Sequence, residues 1–196
     1  MAHPTSMIII EDLLRPALGR RGYTSMPDMD PLTQDDALQE AQLLDIRFDA
    51  LRSTAGLLFE LRTALQLREA NTGVLIVRGV RTLTWSSCPR DTERTAWTVG
   101  GSVVTSTDRL FALELGLWPA PGAQLLLTAE SAAFLVGDVP GLDRIPDYLE
   151  DDECTVRAQV ASWQSQFEPV SEVFWDRGNA ARSPSTSPSG CSGQTP

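Results

Sequence analysis

The chain of 196 residues contains no lysine, and His3 is its only histidine. A lysine Schiff base, a P-loop lysine and a multi-histidine metal site are therefore excluded by composition. A serine hydrolase is also disfavoured, because no histidine in the body of the chain can serve as its base and neither G-x-S-x-G nor G-x-G-x-x-G occurs. These absences favour binding over catalysis.

Cysteine and long apolar runs are also scarce. The three cysteines, Cys88, Cys154 and Cys191, are odd in number, far apart and without a C-x-x-C spacing. This pattern predicts no disulfide framework, no zinc site and a reducing cytoplasmic compartment. No stretch approaches the roughly 18 apolar residues that a membrane helix needs, so we expect no membrane span and no bound cofactor.

Acidic residues outnumber basic ones. The chain has 16 arginines and 26 Asp and Glu residues, which gives a formal net charge of -10. Residues 138–153 alone hold seven acids and Arg144, a net charge of -6. Because nucleic acids and anionic membranes attract Lys and Arg, we expect neither to be a partner.

The ends of the chain differ from its middle. Residues 177–196 offer almost no apolar side chain to bury, which predicts a disordered tail. Residues 1–42 predict a partly ordered N-terminal segment, with a short helix that starts near Thr33 and covers Ala37 to Leu43. Residues 43–176 then form the folded domain.

Alternation with period two runs through that domain and is typical of strands with one buried face. Leu44, Ile46 and Phe48 alternate with charged residues, and a similar run follows from residue 57. Further strands are predicted within residues 74–77, 80–85, 96–99, 102–105, 110–117, 124–129 and 132–136. The pattern predicts a mainly β fold, an antiparallel sandwich or strongly curled sheet of about seven or eight strands, with small α+β as the alternative.

Residues 155–167 fit either a strand or a helical stripe, and we favour a strand. Charged residues on the polar phase of their strands, Glu60 and Glu114, are expected to face water. Arg78 shares its phase with Val74 and Ile76, so we expect it to be partly buried with a carboxylate partner. Five tryptophans at or near strand ends favour core packing over an interface: Trp85, Trp97, Trp118, Trp163 and Trp175.

The acidic run is the main candidate for function. A solvated loop is its simplest interpretation, and a Ca²⁺ or Mg²⁺ site is another, although the spacing is not that of an EF-hand. An acidic docking surface for a basic protein partner is the functional hypothesis that we retain. Its candidate residues are Asp143, Asp147, Glu150, Asp151, Asp152 and Glu153.

The sequence therefore predicts a non-catalytic protein-binding module, which resembles acidic immunity or inhibitor proteins in charge only. Two alternatives stay open. One is an enzyme that uses clustered carboxylates and a divalent metal. The other is a self-assembling structural protein with tryptophans at its interface.

Overall fold

A computed structural model gives the fold, and it describes residues 7–15, 26–27, 29–87, 96–107, 109–118 and 122–176. The predicted tail at 177–196, His3, Cys88 and Cys191 lie outside the described residues.

Within the described residues, ten antiparallel strands form a single sheet that does not close, with the order β1-β10-β9-β4-β3-β2-β6-β7-β8-β5. The strands are β1 (Ile8–Ile9), β2 (Gln42–Asp49), β3 (Thr54–Glu60), β4 (Thr72–Arg78), β5 (Thr82–Ser87), β6 (Trp97–Thr107), β7 (Leu110–Trp118), β8 (Ala123–Ala129), β9 (Ser131–Asp138) and β10 (Gln166–Trp175). A 3₁₀ helix follows β1 at Ile10–Leu14, and one α-helix, α1, covers Glu153–Ala158.

The sheet folds over itself at one corner. At this corner β4 continues into β5, and β8 continues into β9. Each pair forms one long strand, and the two long strands bend at the same place. Gly79 supplies the bend in the first strand with φ +64°, a value that few residues with a Cβ adopt. The ladder continues across the corner, because Glu130 N–H donates to Arg78 O and Arg81 N–H donates to Thr128 O. The two halves of the sheet consequently face each other.

The main core lies between these halves. Alternate residues of β7 and β8, including Phe111, Leu113 and Leu125, point inward against β3, β4 and β9. Phe111 of β7 contacts Trp175 of β10 with ring centroids 5.9 Å apart. Period-two alternation in the sequence thus corresponds to one buried face, as expected for an antiparallel sheet that packs one face on the core.

A second apolar cluster covers the outer face of β3, β4 and β9. Every residue of β3 is buried, because one face meets the main core and the other meets this cluster. The covering residues come from the start of the chain and from the segment after β9, and include Ile10, Leu13, Val139 and Trp163. This part of the sheet therefore carries an additional layer on its outer face.

The mainly β, antiparallel fold is confirmed, but the number of strands was wrong. The described part of the chain has ten strands, and residues 97–107 form one strand whose register shifts between Val99 and Gly101. The short helix expected near Thr33 does not form. Residues 31–40 are turns in which Asp36 and Glu40 have φ of 58° and 64°, values incompatible with a right-handed helix.

The preferred strand over residues 155–167 was also wrong at its start. Residues 153–158 form α1, whose first turn is capped by the Asp152 side chain accepting a hydrogen bond from Thr155 N–H. The strand β10 begins only at Gln166. No helix in the described residues is long and apolar enough to cross a membrane.

Candidate docking surface

Residues 138–153, here named the acidic segment, leave the end of β9 and lead into α1 through turns. Asn71 fixes the start of the segment. Its side-chain amide donates to Val139 O at 3.0 Å, its carbonyl accepts from Val139 N–H at 2.9 Å, and Asp138 accepts from Asn71 N–H at 3.0 Å. The segment therefore begins at a defined position on the sheet.

Arg62, just beyond β3, holds the middle of the acidic segment. Its guanidinium has five N–H donors, and all five are used. Two pair with Glu60, Nε with Oε1 at 2.7 Å and Nη2 with Oε2 at 2.5 Å. Three donate to backbone carbonyls, those of Leu142 at 2.8 Å, Arg144 at 2.7 Å and Gln159 at 2.7 Å.

Glu60 does not face water as expected, since its side chain is only 1% exposed. Strand β3 ends at Glu60, and the chain then turns so that Arg62 folds back onto the carboxylate. Burial of a carboxylate is costly unless a cation and hydrogen bonds compensate it, and Arg62 supplies both. Although burial opposes it, the hydrogen bond and charge of Glu60 raise the pKa of Arg62.

Tyr148 of the acidic segment lies close to this pair. Burial raises the pKa of Tyr148 well above its ordinary value, and the charge of Glu60 adds to the effect while Arg62 opposes it. The phenol is therefore neutral at physiological pH. The segment thus contributes a half-buried aromatic side chain as well as exposed charges.

The structure places the six predicted residues along one segment but gives them different roles. Asp147 accepts from the N–H groups of Leu149 and Glu150, and Asp151 accepts from Asp147 N–H. Asp152 caps α1, and the Thr155 N–H bond lowers the pKa of its carboxyl. The segment is thus folded by its own carboxylates.

Five of the six candidate residues are exposed, and Asp151 is half-buried: the exposed ones are Asp143, Asp147, Glu150, Asp152 and Glu153. Glu153 Oε1 forms a surface ion pair with Arg157 Nε at 2.7 Å, and Arg144 Nη2 lies 3.6 Å from Asp151 Oδ2. Exposed ion pairs of this kind contribute little to the free energy of folding. Most of the negative charge therefore faces solvent.

Apolar side chains stand among these carboxylates. Ile145 is 46% exposed and Leu149 is 66% exposed. They border a shallow hollow of about 510 Å³ beside the starts of β2 and β6. The hollow is lined by Gln42, Thr98, Arg144, Ile145, Pro146, Asp147, Tyr148 and Leu149.

Within the part of the chain that the structure describes, no group of three or more Cys, Asp or Glu side chains is placed to hold a metal ion. The carboxylates of the acidic segment bond to backbone N–H groups, lie beside Arg144 or Arg157, or face solvent, rather than converging on one point. A divalent cation requires several oxygen ligands around one centre. The metal-dependent alternative gains no support from this geometry.

Two smaller cavities lie elsewhere. One of about 280 Å³ is bordered by Arg78, whose pKa is lowered by burial. Arg78 is partly buried as expected, but among the described residues its partner is the carbonyl of Leu13 at 3.3 Å rather than a carboxylate. The other cavity, of about 210 Å³, lies beside Trp163, which donates to Asp45 and stacks against Arg47.

The tryptophans divide between core and surface. Trp163 and Trp175 are buried as predicted, and Trp97 is half-buried, whereas Trp85 and Trp118 are exposed. Glu114 faces water as expected.

Comparison with known proteins finds no relative from which a role could be transferred. No family model, no curated protein and no solved structure matches this chain. The geometry and charge of the acidic segment are therefore the basis on which a function can be proposed.

Proposed function

We propose that this chain is a non-catalytic protein-binding module, in which the acidic segment docks a partner protein with a basic surface. The carrying observation is that an exposed, strongly negative segment is fixed to the sheet through Arg62, which pairs with Glu60 of β3 and donates to the carbonyls of Leu142 and Arg144. The cysteine content supports a reducing compartment such as the cytoplasm.

Charge supports the choice of partner. The acidic segment has a net charge of -6 within a chain of -10. A surface of this kind attracts a basic protein and repels nucleic acid. Electrostatic complementarity also accelerates the encounter and selects among partners.

Pre-organisation supports docking. A flexible acidic loop would lose conformational entropy when it bound, whereas the segment here is already held at Asn71, at Arg62 and at the start of α1. Little ordering is left for the partner to impose. The arrangement favours a specific contact over diffuse charge attraction.

The exposed apolar residues complete the surface. Protein interfaces combine apolar anchors with a polar or charged rim. Ile145 and Leu149 provide such anchors beside the hollow, and Asp147 and Glu150 lie in the same stretch of chain. We therefore expect a partner that presents both arginine or lysine and an apolar side chain.

A paired charge variant tests the proposal. Asp143→Asn with Glu150→Gln removes two exposed charges whose side chains make no fold-supporting hydrogen bond among those described. The matched control, Asp12→Asn with Glu114→Gln, removes two charges outside the segment. Each is compared with the unmodified chain in capture from an extract of the source cell and in titration with a labelled ten-residue arginine peptide.

The acidic-segment pair should weaken both interactions several-fold at low salt and reduce their salt dependence, because Coulomb contacts at an exposed surface are screened over about 8 Å at physiological ionic strength. The control pair should have a smaller effect. Ile145→Asn should weaken the captured partner but not the peptide. If neutralising all six candidate residues left the same partner bound, the proposal would be wrong.

A further inference from the structure

The two edges of the sheet are unequal. Strand β1 has only two residues, so little backbone is open there. Strand β5 has six residues and, among the described residues, pairs only with β8. The other side of β5 therefore offers N–H and C=O groups along a much longer edge.

The usual protections of an edge strand are missing from β5. Natural proteins shield edges with charged residues, proline, bulges or very short strands. The β5 sequence TLTWSS contains no charge and no proline, and its register with β8 has no shift. All of its residues except Leu83 are exposed, and Trp85 is 40% exposed.

Charge indicates what such an edge can meet. The chain has a net charge of -10, so most approaches of one copy to another bring acidic groups together. Strands β5, β6 and β8 contain no charged residue, and in this half of the sheet the strands carry only Glu114 of β7. The β5 edge lets two copies approach without opposing carboxylates on the pairing strands.

We propose that β5 is a self-association edge, at which a second copy of the chain adds its own β5 in antiparallel register. A two-fold axis perpendicular to the sheet keeps each face continuous, so residues of the same phase must oppose each other. Centring the axis on Thr84 satisfies this condition. Thr84 then faces its symmetry mate, Leu83 faces the second copy's Trp85, and Thr82 faces the second copy's Ser86.

This register also matches side-chain chemistry. Leu83 is half-buried and packs against the main core, and Trp85 lies on the same face of the strand. Trp85 already contacts Trp97 with ring centroids 5.5 Å apart, and pairing with Leu83 across the edge covers the part of the indole that is still exposed. Threonine and serine oppose each other on the outer face.

Disulfide trapping tests the register. In a full-length background with Cys88→Ser, Cys154→Ser and Cys191→Ser, Thr84→Cys should give a covalent dimer when oxidised with diamide. Directly opposed residues of an antiparallel pair lie about 4.5–5.5 Å apart at Cα, within the range of a disulfide. Thr82→Cys should cross-link far less, because its opposite residue is Ser86.

A charge exchange tests the dimer without covalent chemistry. In sedimentation, Thr84→Asp and Thr84→Arg should each be monomeric, because like charges meet across the axis, whereas an equimolar mixture should recover the dimer. Leu51→Asp, at a fully exposed turn residue, is the control and should remain dimeric.

The response to added salt distinguishes the proposed self-association at β5 from the proposed docking at the acidic segment. Added salt should preserve or strengthen the dimer, because it screens repulsion between two acidic copies, whereas it should weaken an acidic-segment complex. A full-length chain that stays monomeric up to about 500 μM, or a Thr82→Cys cross-link as efficient as that of Thr84→Cys, would overturn the edge proposal while leaving the docking proposal intact.

Discussion

Gly56 of β3 lies against the indole of Trp163, and this contact seats the second apolar cluster on the sheet. A Cβ at position 56 would stand 2.7 Å from Trp163 Cη2 and 2.6 Å from Leu14 Cδ2. Leu14 can rotate away, but the Trp163 ring is buried and donates to Asp45 at 2.8 Å. Only a residue without a side chain allows this approach.

Gly56→Ala should consequently destabilise the fold by about 1–3 kcal/mol, the range for overpacking a core. Urea unfolding followed by tryptophan fluorescence measures the change. Gly116→Ala is the matched control on β7, where the nearest atom to a new Cβ is 3.9 Å away. That variant should stay within about 0.5 kcal/mol. Equal effects would contradict the assigned role of Gly56.

Arg62 should be among the most sensitive positions in the chain. Arg62→Ala leaves Glu60 buried without its cation, a change that typically costs about 3–5 kcal/mol. Arg62→Lys keeps the positive charge but not the five-donor geometry, so it should lower the free energy of unfolding by less than Arg62→Ala does. Arg81→Ala, which removes an exposed pair with Glu130, should cost less than about 1 kcal/mol. Denaturant unfolding of the three variants tests this order.

Arg62 also connects stability to the proposed docking surface. Its bonds to Leu142 and Arg144 hold the acidic segment in place. Arg62→Lys should therefore accelerate amide hydrogen exchange between residues 142 and 159 and weaken partner binding, although every candidate carboxylate is unchanged. Unaltered exchange in that stretch would show that the segment is held by other contacts.

Asp152 should make α1 sensitive to acid. Its folded-state pKa lies below the ordinary 3.8, because Thr155 N–H bonds to the ionised carboxylate. The unfolded chain therefore binds a proton more readily, so the stabilisation is full above pH 3.8 and is lost as the pH falls through the lower folded pKa. The Thr155 amide resonance should follow this change in an NMR titration. Asp152→Asn should abolish that titration while retaining a cap.

Tyr148 should limit stability at alkaline pH. Burial raises its pKa above the ordinary value of 10.0, so the folded state keeps the proton when the unfolded chain releases it. Stability should fall as the pH rises above 10 towards the folded pKa. Tyr148→Phe should flatten this decline in thermal unfolding measured between pH 8 and 11. An unchanged slope would assign the alkaline transition to other groups.

The sequence predicted β2 to β9 at least in part, including β4, whose residues are buried on both faces. Strand β10 was missed because its inward positions include Pro169 and Ser171, which interrupt the apolar period. The turn residues Asp36 and Glu40 have ordinary helix-compatible identities, and their positive φ is imposed by tertiary contacts. Asp36 N–H, for example, donates to Ser102 O on β6.

The acidic segment was visible in composition, but the way it is held was not. The Arg62 guanidinium donates to the carbonyls of Leu142, Arg144 and Gln159. These residues lie 80, 82 and 97 positions further along the chain, and no local pattern encodes such contacts. The Glu60-x-Arg62 spacing was a possible signal, since a charged pair at a strand end can fold back on itself. Alternation instead assigned Glu60 to solvent.

The separation of 97 residues between Arg62 and Gln159 also sets a minimum time before their hydrogen bond can form during synthesis. At about 5–20 residues per second, a ribosome needs about 5–20 s to proceed from one to the other. Until then Glu60 and Arg62 have emerged without the carbonyls that complete their bonds. A partner of the acidic segment would therefore meet its assembled binding surface only after residue 159 has emerged from the ribosome, and chains truncated before residue 159 should not compete for it.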